Sequence, residues 1–564
     1  MRKLLKYHRT YLLLIFLVSL IFILPQVFSG NMILGSDSIF HFNRFYDTAQ
    51  QIKHFNFNYH ISIYGFQQSG RIVNALYGPF LAYFHGFLVL LSKNWFSYQV
   101  LSNLVLYNLA GLSMYIFILK SKLSKKYAFI GAILYISSYA IQYWTIRQGF
   151  TSWGAALLPL ALSLLFELNE TKQVPKYLLG IYTAMMVQTH MLSSLILVLI
   201  YLPFFAQAFF QNKQKLDFLK KLCREIVHFF GLTLNIWGSY LFVLKDNVLI
   251  SPRVNQLMSL NTINHNSYYW LLNPITLIPI FLLIYTYFAR KWNQTDSATK
   301  TWFWVMTVFL LLTTSIIPWD YLIANENPVA QLIQFPFRFF VPVSIIAIYL
   351  SLKIISSSHL QKKQLRNVLM IILAVSVIQP TILSATAVLD WNSAEHFILN
   401  RYKVVFTGDS ETIKKSFYDS DKSRALELVA KGTPDYLPQY GSPKPATDYY
   451  DDYIAKVIQN KDFTKTVSKE GLILEWQGDS NKEIEVPVIV YKNTLLELNG
   501  EKLNHGSLQL SAIGTPTVKQ IPKAKNSLVL SYKMDSVEQG MIVITVLTWL
   551  LILVSGTLKF LRQR

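Results

Sequence analysis

Twelve apolar stretches, separated by short loops rich in lysine and arginine, leave this chain few ways to fold. They run over 11–28, 98–119, 127–144, 153–166, 177–187, 191–209, 226–244, 269–288, 302–317, 335–352, 368–388 and 541–558. A helix needs about 20 residues to cross the hydrocarbon of a bilayer. Inside lipid, every backbone N–H and C=O must be satisfied within the segment. The stretches therefore predict an all-α polytopic membrane protein with about 12 transmembrane helices. Only 15% of the residues are charged and 52% are hydrophobic, whereas a soluble chain carries about 25% charged residues. The basic start 2–9 followed by the apolar run 11–28 reads as an uncleaved signal anchor, because so many spans follow it.

The charge of +21 divides unevenly. Between Asp390 and Glu538 stand 21 acids and 19 bases, and the rest of the chain holds 10 acids and 33 bases. A basic excess on an apolar chain sets topology through cytoplasmic Lys and Arg. With twelve spans, the basic clusters 2–9, 120–126, 172–176, 213–224, 290–300, 353–366 and 559–564 all fall on one side. That side is the cytoplasm, with both termini in it, in a multi-pass cell-membrane protein. No basic stripe lies on a soluble module, so nucleic acid is not an expected partner. The single cysteine, Cys223, excludes a disulfide within the chain.

Three regions follow. Residues 1–388 form the multi-span membrane domain, with a first extracytoplasmic loop at 29–71. Residues 389–539 form a soluble extracytoplasmic α+β domain, and 540–564 a final span with a short basic cytoplasmic tail. The soluble region ends in alternating apolar and polar runs, 472–476, 483–491, 495–503 and 527–534, with Asn499-Gly500 as a hairpin signal. These runs predict a β-sandwich-like part. The apolar segment 77–91 reads as an interfacial or re-entrant helix, since counting it as a span would put 120–126 outside. A thirteen-span arrangement is the alternative.

The first outside loop contains GSDSIFHFNRF. Asp37, His41 and Arg44 fall at i, i+4 and i+7, on one helical face. Gly35 and Ser36 would start and cap the helix. A carboxylate can take a proton from a hydroxyl and the cations can hold a phosphate; the alternative is an amphipathic surface helix with a solvated face. Of the ten acids in the membrane part, the topology places Asp37, Asp47, Asp246, Asp320 and Glu326 outside. His190 sits at the tip of a helical hairpin, as a ligand or a structural tip. Arg338 lies one turn into a span, where a charge pairs, faces a cavity or snorkels. Arg147 reads as an interfacial anchor.

These residues resemble those of the GT-C class of membrane glycosyltransferases, which carry an acidic residue early in the first extracytoplasmic loop. GSDSIFHFNRF, YGPFLAYF, QTHMLSS, LIQFPFRFF and TPDYLP (433–438) also resemble bacterial pyruvoyl-tetrahydropterin-synthase-related and YfhO-like integral membrane proteins of Gram-positive bacteria. The pieces spread over most of the chain, and no zinc-type histidine triad accompanies them. The resemblance implies transfer of a sugar from a polyprenyl-phosphate-linked donor to a cell-envelope glycopolymer or lipid acceptor outside. Asp37 would match the catalytic acidic position, with His41, Arg44, His190 and Arg338 binding donor phosphate or acceptor. No cofactor is required; a single early Asp in place of an acidic pair leaves the part of a divalent cation open. Two rivals share the topology. A flippase for lipid-linked glycans would carry midplane charges and inverted repeats, and a non-catalytic partner in polysaccharide assembly would not need Asp37.

Overall fold

The computed structural model describes residues 2–358, 362–399, 402–480 and 482–562. All twelve apolar stretches are helical over most of their length. Among the described residues eight helices are long and apolar enough to cross a membrane, or nine if the bent pair Lys215–Gly231 and Leu234–Asp246 counts as one span. Pro79–Leu91, Leu178–Thr189 and Ser297–Leu312 are apolar but shorter. The stretch 226–244 does not fold as one straight helix: the pair bends by 64°. Lys215–Gly231 carries Asp217, Lys220, Lys221 and Arg224, and its buried Glu225 accepts from the amides of Tyr177 (2.9 Å) and Gly180 (3.4 Å).

The elements that frame the site are α1 (Arg2–Ser29), α2 (Ser38–His54), α3 (Pro79–Leu91), α4 (Trp95–Lys120), α5 (Lys125–Ser137) and α6 (Tyr139–Arg147). The hydrophobic effect does not draw helices together in lipid, so close packing and polar contacts must do it. At Gly111 of α4 a side chain would meet Ile15 of α1 at 2.7 Å. A buried amide chain joins the same two helices: Asn103 Nδ2 donates to Gln26 Oε1 (3.1 Å), and Gln26 Nε2 to Gln99 Oε1. The segment 77–91 becomes α3, 13 residues long, or roughly 20 Å. It packs chiefly on α2.

The basic loops meet at one end of the bundle. Lys122 pairs with Glu170 at 2.5 Å. Asn212 Nδ2 donates to the Lys172 carbonyl (2.5 Å), and Lys221 Nζ to Gln173 Oε1 (2.7 Å). Lys353 pairs with Asp296 at 3.3 Å. The middle of the 353–366 cluster and the last residues of 559–564 lie outside the described residues.

At the other end α4 begins beneath the region after 389. Trp95 N donates to the Phe417 carbonyl (3.1 Å) and Trp95 Nε1 to that of Lys422 (2.9 Å). That region holds a two-stranded antiparallel sheet, β1 (Val404–Phe406) and β2 (Val429–Lys431), and two larger antiparallel sheets. The larger sheet has the order β3 (Thr464–Val467), β4 (Leu472–Gln477), β10 (Lys525–Tyr532), β6 (Thr494–Leu498), β7 (Glu501–Lys502). The smaller has the order β5 (Glu483–Glu485), β9 (Pro516–Lys519), β8 (Gln509–Leu510). Alternation along β4 buries Leu472, Leu474 and Trp476. Asn499 (φ 52°) and Gly500 (φ 88°) make the turn from β6 to β7, the left-handed pair that a two-residue hairpin requires. His60 of the first loop and Glu538 at the start of the last helix form a buried pair at 2.7 Å, which fastens that helix to the loop.

Candidate functional site

Asp37 is set by the close approach of two backbones. Leu34 bridges to Ile398, and a Cβ on Gly35 would lie 2.2 Å from the Arg147 carbonyl carbon. Only glycine permits that contact. The N-cap position of α2 falls to Asp37 and not, as the spacing suggested, to Ser36. Its side chain makes no capping bond. The carboxylate is 49% exposed and lies 3.5 Å from the Lys431 ammonium, itself only 12% exposed. Lys431 also donates to the Ser36 carbonyl. A partly exposed ion pair adds about 0–1 kcal/mol to stability, so Asp37 is held in place rather than used as a strut.

The rest of α2 is not a solvated surface helix; 11 of its 17 residues are buried. His41 and Arg44 share a face with each other but point inward. Arg44 Nε donates to Asn74 Oδ1 (3.0 Å), Nη1 to His41 Nδ1 (3.3 Å) and Nη2 to the Tyr77 carbonyl. Its Cζ lies 4.3 Å from the Tyr77 ring centroid and 4.9 Å from that of Phe150. Burial, with Arg44 adding to it, pushes the His41 imidazole well below its ordinary value, so the neutral ring accepts from Arg44. Burial lowers Arg44 to about 10, and it stays charged at neutral pH. In this conformation both side chains are turned toward protein partners.

His190 caps the helix Met191–Gln211, with its Nδ1 2.8 Å from Ser193 Oγ. Its ring lies 6.2 Å from that of Tyr77. Arg338 stands in the turn Pro336–Phe339 before the helix Phe340–Ser356. Its Nη1 donates to the Ile333 carbonyl (2.8 Å) and Gln334 Oε1 (3.2 Å), and its Nε is buried without a partner. Among the described residues no carboxylate comes within ion-pair distance of it.

Tyr77 is where these charges meet, and the sequence did not single it out. Burial pushes its hydroxyl up to about 12; Arg44 and Arg338 pull it down, while Asp37 and Asp435 push it up. Asp435, inside TPDYLP, is the second carboxylate of the site. Burial raises it to about 6; Arg71 and Lys431 oppose that rise and Asp37 adds to it. The segment is held by Arg71, fully buried between Phe66 (4.8 Å) and Tyr453 (5.0 Å). Arg71 donates to the carbonyls of Thr433 (2.8 Å) and Asp435 (2.5 Å). No cluster of three His, Cys, Asp or Glu able to hold a metal ion occurs among the described residues; Asp37 and Asp435 are the two carboxylates that a cation would find here.

Asp47 belongs to the scaffold. Its Oδ1 accepts from the amides of Tyr64 (2.9 Å) and Gly65 (3.1 Å), and its Oδ2 from Gln51 Nε2 (2.7 Å). Asp47→Ala is expected to cost about 2–6 kcal/mol, since it orphans two loop amides at about 1–3 kcal/mol each. A drop in the thermal unfolding midpoint checks this; an unchanged midpoint refutes it.

No protein-family model and no curated relative matches the chain. Among solved structures it is similar to the oligosaccharyltransferase of Archaeoglobus fulgidus, in the apo form and tethered through a disulfide to an acceptor peptide with an NVT sequon. Both matches have TM-score 0.41 and 13% identity and cover 78% of this chain. They cover 61% of the tethered structure's chain and 62% of the apo one, so this chain spans less than two thirds of their length.

Proposed function

We propose that this protein is a GT-C-type membrane glycosyltransferase, moving a sugar from a polyprenyl-phosphate-linked donor to a glycopolymer or lipid acceptor outside the cell. The observation that carries the reading is the half-exposed Asp37 carboxylate, placed beside Lys431 and sharing the surroundings of Tyr77 with Asp435 and Arg338. Asp37 takes the proton of the acceptor hydroxyl as that oxygen bonds the anomeric carbon. The bond from that carbon to the phosphate oxygen breaks, and Arg338 stabilises the departing lipid phosphate. Lys431 orients Asp37, and Asp435 faces the acceptor. His41, Arg44 and His190 hold Tyr77 and the floor of the site. Metal dependence stays part of the proposal; a divalent cation on Asp37 would compete with the Lys431 ammonium. The domain 389–539 and the site lie outside, and both termini lie inside, because that orientation puts the joined basic loops in the cytoplasm.

The test is turnover of synthetic polyprenyl-phosphate sugars by the protein in vesicles, with mass spectrometry of lipid and acceptor. Cleavage of the donor with glycosylation of the acceptor supports the reading. Movement of intact lipid-linked glycan across the bilayer, or no turnover with any envelope acceptor, counts against it. Arg338→Lys is expected to lower the rate at least ~10-fold, because a point charge replaces a bidentate fork. A rate unchanged by that substitution removes Arg338 from the phosphate.

A further inference from the structure

We infer that a cleft beside the site, but separate from it, binds the phosphate-bearing headgroup of a membrane phospholipid. The candidate spans His8–Ser29, Lys125–Arg147 and Arg366–Asn392 all end next to it, which places it at the membrane boundary. Its volume is about 290 Å³, and Leu34, Arg147, Leu383, Thr386, Asp390 and His396 are among its walls. At ~30 Å³ per water that is room for about ten waters, enough for a phosphate and a short alcohol. Asp37, Tyr77, Arg338 and Lys431 are not among the lining residues.

The walls are built by hydrogen bonds, not by chance proximity. Leu399 N donates to the Leu34 carbonyl (2.9 Å) and Asn31 Nδ2 to that of Val388 (3.1 Å). Gly35 packs on the Arg147 backbone. The Arg147 guanidinium has the Tyr139 hydroxyl beside it. Among the described residues it has no carboxylate within ion-pair distance, and its Nε is buried without an acceptor. A buried N–H left unpaired is costly, and an arginine fork fits phosphate oxygens. Asp390, exposed and without an ion pair among the described residues, lines the same cleft. An ionised carboxylate only accepts hydrogen bonds, so the headgroup must carry a donor, a hydroxyl or ammonium, beyond its phosphate. The apolar wall continues along the exposed side chains of Ile378 and Ile382. An acyl chain covers that strip, whereas a soluble phosphate leaves it bare.

This inference is independent of sugar transfer. Delipidated protein in detergent is titrated with short-chain phosphatidylglycerol, short-chain phosphatidylcholine or inorganic phosphate, and the bound lipid is read by native mass spectrometry. Phosphatidylglycerol is expected to be retained at a concentration at least ~10-fold lower than phosphatidylcholine, which lacks a headgroup donor. Arg147→Gln and the cavity-filling Thr386→Trp are each expected to weaken retention at least ~10-fold, and Asp390→Asn to narrow the preference between the two lipids. Thr386 is exposed on its helix, so that variant decides the matter even if Arg147→Gln fails to accumulate. Equal retention of both lipids by the unaltered protein overturns the inference, as does retention untouched by Thr386→Trp. Displacement by inorganic phosphate at equal concentration also overturns it, by making this a site for the free ion.

Discussion

Under the proposed function, Asp37→Asn is expected to lower sugar transfer by ~10²–10⁴-fold, the usual cost of losing a positioned general base. It should leave the amount of folded protein in the membrane unchanged. Asparagine keeps the size and one acceptor oxygen of aspartate but does not take a proton at neutral pH. The Asp37 side chain caps nothing and is half exposed, so little of the fold depends on it. Initial rates with a polyprenyl-phosphate sugar, alongside a thermal unfolding curve, check both halves. Asp246→Asn is the matched control, being exposed at the end of its helix. Asp47 does not serve, because it is buried and holds two loop amides. Transfer near the unaltered rate in Asp37→Asn would take the base away from this residue and assign it to another group.

Arg71→Gln has the largest expected effect on structure. The substitution leaves the carbonyls of Thr433 and Asp435 without their donors and empties the space between Phe66 and Tyr453. Two unpaired buried groups at about 1–3 kcal/mol each, with a lost cation–π contact of about 1–2 kcal/mol, predict a loss of about 3–8 kcal/mol. The effect should be local first. The amides of Tyr436, Leu437 and Gln439 now donate to Ile250, Pro434 and Val248, and they should lose hydrogen-exchange protection before the sheets do. Protection unchanged at these three amides would show that Arg71 does not hold the segment. Under the proposed reading transfer falls as well, because Asp435 leaves Asp37.

The helices were legible in the sequence because lipid demands long apolar runs and the loops between them carry the charge. The breaks within them were not. A run such as 226–244 reads as one span, yet Lys215–Gly231 and Leu234–Asp246 meet there at a bend of 64°. The Asn499-Gly500 turn was readable because its backbone needs left-handed residues. At the site, helical spacing put Asp37, His41 and Arg44 on one face, but Asp37 is the N-cap before α2 and only His41 and Arg44 share an inward face; spacing has no term for what covers that face. Tyr77 and Phe150 cover His41 and Arg44 and leave Asp37 out. Asp435 and Lys431 had no local signal, since their significance comes from docking onto a loop far earlier in the chain. TPDYLP was visible as a motif, but nothing in it points to Arg71.

The division of the site between a loop near the start of the chain and a segment near its end has a consequence for biosynthesis. A chain grows from its N-terminus at about 5–20 residues per second, so roughly 20–80 s separate the synthesis of Asp37 from that of Asp435 and Lys431. Through that interval the early loop sits at the membrane with its own carboxylate but without its partners. The seam is sealed later still, when Glu538 arrives to meet His60. Under the proposed function, a nascent chain that has not reached Lys431 and Asp435 thus holds only the first half of the site. Under that reading, the two halves act together only after the later segment has docked on the early loop.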